Sequence, residues 1–162
     1  MRRVEQLLTI IDQGYNRRSW HGTNLRGSIR GLSAEEAAWR PARGRHNIWE
    51  ITVHAAYWKY AVWRRLTGES RGSFPLKGSN WFVRPEDPGE RAWRSDVALL
   101  DRTHKAMRAA IAELEDRALD RTPKGSTVST FALVSGIAAH DLYHAGQIQL
   151  LKRLMRRRGA AI

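Results

Sequence analysis

The sequence predicts an all-α protein, a four-helix bundle with short satellite helices. Four segments repeat apolar residues at helical spacing, and the alternation typical of strands is almost absent. The length of 162 residues fits one bundle domain spanning residues 1–162. With 42% apolar residues and seven Trp, the chain can bury a core, which excludes global disorder. It contains no Cys, so disulfides, thiolate metal sites and a Cys nucleophile are also excluded.

The first long helix is predicted near the N-terminus, where the apolar residues share one helical face. Residues 23–29 are predicted to continue this helix after a kink at residues 20–22. A short satellite helix is predicted after Ser33, which can cap its N-terminus, with Glu36 at the capping-box position. The apolar face of the first helix comprises Val4, Leu7, Leu8, Ile11 and Tyr15.

The second long helix is predicted over residues 48–66 and ends at Gly68. Lys59, Arg64 and Arg65 are predicted to point away from its core face. The connection from Gly68 to Gly89 is rich in Gly and Pro but also carries large apolar residues, so we expect it to pack over a site. The core face of the helix comprises Ile51, His54, Ala55, Trp58 and Val62.

The third and fourth long helices show the same periodicity. The fourth is predicted to begin after the turn at residues 123–125, with Ser126, Thr127 or Ser129 as its cap, and to run to about Arg157. The third helix carries an apolar stripe of Trp93, Val97, Leu100, His104, Met107, Ile111 and Leu114. The stripe of the fourth comprises Leu133, Ile137, His140, His144, Ile148 and Leu151.

Three histidines on these stripes form a candidate metal site. His140 and His144 are four residues apart, about 40° around a helix axis, so both rings project to one side and could chelate one ion. His54 lies on the core stripe of another helix, and facing stripes meet inside a bundle. The alternative is that these are hydrogen-bonded core histidines, the interpretation we adopt for His104. We expect solvated loop side chains at His21 and His46.

Two segments resemble the signature segments of the DinB-like family: residues 48–58, IWEITVHAAYW, and residues 140–148, HDLYHAGQI. Residues 32–41 also resemble the family. The resemblance implies a four-helix bundle with up-up-down-down connectivity, a homodimer, and one divalent metal ion held by His54, His140 and His144. It also implies a function, since the family includes metal-dependent transferases and isomerases that use low-molecular-weight thiols such as mycothiol, bacillithiol or glutathione.

Three imidazole ligands leave a coordination position for substrate or water, and imidazole suits Zn, Ni and Fe. Together with this open position, the family resemblance leads us to expect a thiol-dependent S-transferase or isomerase acting on a small electrophile, in which the metal-bound thiol or water is the reactive group. A metal-dependent hydrolase and a non-catalytic metal- or nucleic-acid-binding protein are the alternatives. Gln147 shares the face of the ligands, and the candidate cofactor-binding residues are Gln147, Trp81 and His21.

The net charge of +12 raises nucleic acid as a partner. Most basic residues are scattered in pairs, and the one real cluster, Lys152, Arg153 and residues 156–158, is typical of a helix C-terminus. We therefore expect small-molecule partners and no nucleic acid. No apolar stretch reaches the roughly 20 residues of a membrane span, and no signal peptide is apparent, so we expect a cytoplasmic protein.

Overall fold

The computed structural model describes residues 1–84 and 89–159 of the chain. These residues form α-helices and one short 3₁₀ helix, Asp116–Asp120, and they contain no strand. The prediction of an all-α protein with short satellite helices is confirmed. The α-helices are α1 (Arg3–Tyr15), α2 (Leu25–Ser28), α3 (Ala34–Ala38), α4 (Ile48–Thr67), α5 (Glu90–Ala112) and α6 (Thr130–Gly159).

Among the four long helices, α1 packs against α5 and α6, and α4 packs against the same two helices. The short helix α2 lies on α1 and α6, while α3 lies on α4 and α5. Fully buried side chains such as Trp49, Leu100 and Ile148 form one part of the core, and Ile11 and Met107 belong to the other. Helix α4 is therefore covered on several sides. Within the described ranges, no helix combines the length and the apolar character needed to cross a membrane.

Several helix ends lie where the sequence predicts them. The Ser33 side chain accepts a hydrogen bond from the Glu36 backbone N–H, and the Glu36 carboxylate accepts one from the Ser33 N–H, as predicted for a capping box. Gly68 ends α4 with a φ of 77°, a backbone conformation that glycine adopts without strain. Ser129 caps α6 by accepting from the Ala132 N–H at 3.2 Å.

The predicted continuation of the first helix is wrong. Helix α1 ends at Tyr15, and α2 is a new helix with its own cap, because the Asn24 side chain accepts a hydrogen bond from the Gly27 N–H at 2.8 Å. The 3₁₀ helix was also not predicted. Its Asp116 carboxylate accepts hydrogen bonds from the backbone N–H groups at the start of α1, which otherwise lack partners within the helix.

The basic cluster lies on the last turns of α6, which confirms its predicted place at a helix C-terminus. The Lys152 ammonium donates a hydrogen bond to the Ser28 carbonyl at 2.9 Å, so this residue ties α6 to α2. Arg156 and Arg157 are exposed. The side chain of Arg158 and residues 85–88 of the predicted connection lie outside the described part of the structure.

Candidate metal centre

The three predicted histidines meet between α4 and α6. The His140 Nε2 atom lies 3.1 Å from His54 Nε2 and 3.0 Å from His144 Nε2. One nitrogen from each ring can be chosen so that all three lie within 4.8 Å of one another, which makes them a group that could hold a metal ion. His54 and His144 are buried, and His140 is partly buried.

The start of α4, and with it the position of His54, is fixed by a second capping box. The Asn47 side chain accepts from the Glu50 N–H at 2.8 Å, and the Glu50 carboxylate pairs with the Arg40 guanidinium. His46 Nδ1 lies 3.0 Å from the same carboxylate. His54 follows Glu50 by one helical turn on this anchored segment.

In His54 and His144, the ring nitrogen that points away from the cluster, Nδ1, lies next to an oxygen acceptor. The His54 Nδ1 lies 2.8 Å from the Asn80 carbonyl, and the His144 Nδ1 lies 2.7 Å from Gln147 Oε1. Because both partners accept, each Nδ1 carries the proton and each Nε2 presents a bare lone pair. This pattern, in which an outer acceptor fixes the tautomer, is typical of metal-ligating histidines.

The hydrogen bonding of His140 supplies a test of whether a cation fits. Its Nδ1 is buried and has no hydrogen-bond partner within the described residues. If Nδ1 holds the proton, three bare Nε2 atoms face one another; if Nε2 holds it, Nδ1 is a buried bare acceptor. Either state leaves buried polar atoms unsatisfied, which is costly. A cation at the three Nε2 atoms would remove the first of these conflicts, so the residues fit a metal ion.

Burial also keeps these rings neutral. It is the largest of the causes that lower the pKa of His140 to about 3 and of His144 to about 4, and the neighbouring imidazoles contribute to both shifts. The pKa of His54 is likewise lowered by burial. Imidazole binds metal only as the neutral base, so at neutral pH the three rings are in their ligating form.

Trp81 forms the aromatic wall of the centre. Its indole stacks on His54 at 3.9 Å with an interplanar angle of 11°, and on His46 at 3.6 Å and 6°. Two imidazoles at these distances cannot share one face, so the indole lies between them. His46 is therefore packed on one side and does not have the fully solvated position that we expected for it.

Asn80 is the functional residue that the sequence analysis missed. Its backbone has a φ of 65°, a left-handed conformation that asparagine tolerates better than most residues. This conformation accompanies two contacts: the carbonyl accepts from His54 Nδ1, and the side-chain oxygen accepts from the Trp58 indole N–H at 2.9 Å. An Asn close to Gly78 in a Gly-rich connection is the only sequence signal for such a turn.

The other residues considered for the site differ in how close they lie to the three histidines. Gln147 contacts His144 directly, and its amide nitrogen donates to the Tyr143 hydroxyl at 3.0 Å, which orients the amide. His21 is exposed in the turn after α1 and has no hydrogen bond or ring contact with the cluster in the described residues. His104 is a buried core residue, as predicted; it stacks on Tyr15 at 3.5 Å and lies outside the three-histidine group.

A buried ion pair stands beside the cluster. The prediction that Lys59 points away from the core is wrong: its side chain is 0% exposed and its ammonium donates to Asp141 Oδ1 at 2.6 Å. The other side of α4 is buried too, because α4 packs against α3, α5 and α6. Lys59 follows His54 on α4 and Asp141 follows His140 on α6, so the pair joins the two helices that carry the histidines.

Two cavities adjoin the cluster. A cavity of about 150 Å³ reaches His140 and is otherwise lined mostly by apolar groups of α4 and α6. A larger cleft of about 790 Å³ is lined by residues of α4 and of the connection that follows it, including Asn80. Trp58 and Arg65 line both. The larger cleft thus adjoins the centre through Asn80 and Trp58, which contact His54, and its size suits a small molecule.

A helical-bundle protein with a three-histidine group between two of its long helices is the class that this fold and this site define. A family model described as the DinB superfamily matches residues 17–148, and the chain belongs to that superfamily. The resemblance seen in the sequence is thereby confirmed. No curated protein and no solved structure matches the chain significantly.

Proposed function

We propose that this DinB superfamily protein binds one divalent metal ion through His54, His140 and His144, and transfers a low-molecular-weight thiol to a small electrophile or isomerises one with its help. The observation that carries the proposal is the convergence of three Nε2 atoms while outer acceptors hold the Nδ1 atoms of two rings. Zn, Ni and Fe all accept such ligands. A divalent ion in this neutral ligand set supplies a Lewis acid that lowers the pKa of a bound thiol.

The protein's own residues contribute position and protonation state. The Asn80 carbonyl and Gln147 Oε1 hold the protons of His54 and His144 on Nδ1, which leaves both Nε2 lone pairs directed inward. Trp81 restrains the plane of the His54 ring. The chain has no Cys, so a thiol reaction must import its sulfur nucleophile.

The family resemblance also supports finer proposals about assembly. We propose that residues 1–162 form one domain, that its four long helices follow the up-up-down-down connectivity, and that two copies associate as a homodimer. We propose a cytoplasmic location, where low-molecular-weight thiols are abundant.

The test is elemental analysis of protein purified without a His tag, followed by conjugation assays with mycothiol, bacillithiol and glutathione and an aromatic electrophile. We expect about one metal ion per chain, and thiol transfer that is lost in His140→Ala. His104→Ala is the matched control, because it removes a buried imidazole outside the cluster. Fully metallated protein that conjugates no thiol above the uncatalysed rate would refute the transferase and favour a hydrolase or a non-catalytic protein.

A further inference from the structure

The cleft beside the metal centre is lined by basic side chains that have no ion-pair partner among the described residues. Arg64, Arg65, Arg71 and Lys77 line it, and none of its lining residues is acidic in the parts of the chain that the structure describes. No ion pair in those parts involves these four side chains, and Arg64 donates one long hydrogen bond, of 3.4 Å, to the carbonyl of Glu69. Elsewhere in the described residues, arginines such as Arg26, Arg84 and Arg108 are paired with aspartates.

A second observation, at the Arg65 guanidinium, also indicates that a hydrogen-bond acceptor is missing from the cleft. Its Nε is buried and has no hydrogen-bond partner in the described residues. A guanidinium N–H that has lost its water and found no acceptor is costly, and a bound oxyanion is its strongest partner. Because Arg65 lines both the cleft and the cavity that reaches His140, an anion held there would lie next to the centre.

Aromatic rings line the same cleft. Tyr57, Trp58, Tyr60 and Phe74 line it, and Phe74 packs against Tyr57 and Tyr60 at ring distances of 5.3 Å. Such a surface suits the apolar body of a ligand, while the cations suit its charged end. The volume of about 790 Å³ admits a small organic molecule.

We infer that the substrate or co-substrate of the metal centre is an organic anion with an apolar or aromatic body, whose carboxylate or phosphate is bound by Arg65 with Arg71. That the bound anion is a substrate or co-substrate rests on the proposed function. The anion-binding site itself is argued from the cleft alone. A flat carboxylate can take two N–H groups of one guanidinium, which gives orientation as well as affinity. A ligand anchored in this way has its charged end fixed at Arg65, beside the centre.

Isothermal titration calorimetry of the full chain tests this with three probes: 4-nitrobenzoate, phenyl phosphate and the neutral 4-nitrobenzamide. We expect saturable binding of at least one anion and much weaker binding of the amide. Arg65→Gln/Arg71→Gln should raise the dissociation constant by about tenfold or more, since charge-assisted hydrogen bonds are lost. The two anions show whether the site prefers a carboxylate or a phosphate.

The matched control is Arg91→Gln/Arg121→Gln, which removes the same charge at exposed positions outside the cleft. Equal weakening by the two pairs, or equal affinity for the amide and the anions, would overturn the inference. Arg71→Gln alone, at an exposed position, keeps the test valid if the change at Arg65 impairs folding. Binding measured in His140→Ala separates the two proposals, because anion binding should persist there even when metal content is lost.

Discussion

The buried ion pair between Lys59 and Asp141 should dominate the stability of the helix pair that carries the histidines. Lys59→Met removes the only hydrogen-bond partner that the described residues offer the Asp141 carboxylate, whose side chain is 1% exposed. Leaving one member of such a pair buried costs about 3–5 kcal/mol. A domain of this kind has roughly 5–15 kcal/mol in total, so the single substitution should remove much of the free energy of unfolding.

The double variant Lys59→Met/Asp141→Leu distinguishes the pair from ordinary packing. With both charges replaced by apolar groups of similar size, no unpaired charge is left, and we expect most of the lost stability to return. Burial lowers the pKa of Lys59 and raises that of Asp141, while the charge of each partner and the hydrogen bond between them oppose both shifts. The coupling between the two substitutions should therefore be large and of compensating sign.

Urea unfolding followed by far-UV circular dichroism measures these values. The matched control is the exposed ion pair of Arg3 with Asp120, where Arg3→Met should leave the unfolding midpoint nearly unchanged. We expect metal content to fall in Lys59→Met and to recover in the double variant. Wild-type stability of Lys59→Met, or a double variant as unstable as the sum of the singles, would refute this reasoning.

Other predictions concern the centre itself. His144→Ala should reduce metal content severely in elemental analysis, whereas retention of wild-type stoichiometry would contradict the ligand assignment. Gln147→Leu should lower metal affinity by about 10- to 100-fold in a competition titration with a chelator, because the acceptor at His144 Nδ1 is lost; unchanged affinity would speak against this role. Metal-free protein should lose stability in urea unfolding as the pH falls from about 6.5 towards 4. Over this range the unfolded state takes up protons at its histidines, whereas the folded pKa is lowered to about 3 in His140 and about 4 in His144. A free energy of unfolding that does not change over that range would be inconsistent with buried neutral rings. Trp81→Ala should change apparent substrate affinity more than the rate at saturation in steady-state assays, and the reverse result would place the indole in the chemistry.

The histidine cluster could be predicted because it depends on helical periodicity. His140 and His144 interrupt an apolar stripe at a spacing of one turn, and His54 does the same on another helix. In α-helices, that spacing sets the direction of a side chain with little help from the rest of the fold. The sequence therefore indicated which side chains would meet, although the distances required the packed structure.

Lys59 and Asn80 show what periodicity cannot predict. An amphipathic pattern assumes one solvent face, and this assumption fails for α4, which packs against α3, α5 and α6 and buries most of its first half. Asn80 acts through its main-chain carbonyl in a connection without regular structure, so neither spacing nor side-chain chemistry marks it. In contrast, the separate start of α2 could have been predicted from the sequence, because Asn24 is a residue type common at helix N-caps.

Because the carbonyl of Asn80 holds His54, one part of the connection orients a metal ligand while another part lines the cleft, and this separation matters for evolution and engineering. A main-chain oxygen is the same in every residue, so the hold on His54 depends on the path of the backbone and not on the side chains of the preceding segment. The cleft side chains of residues 71–77 can therefore diverge, and with them the preferred ligand, while the turn at residues 78–81 keeps His54 in its ligating form. A library that randomises the first segment and retains the second would be expected to vary specificity while preserving metal content.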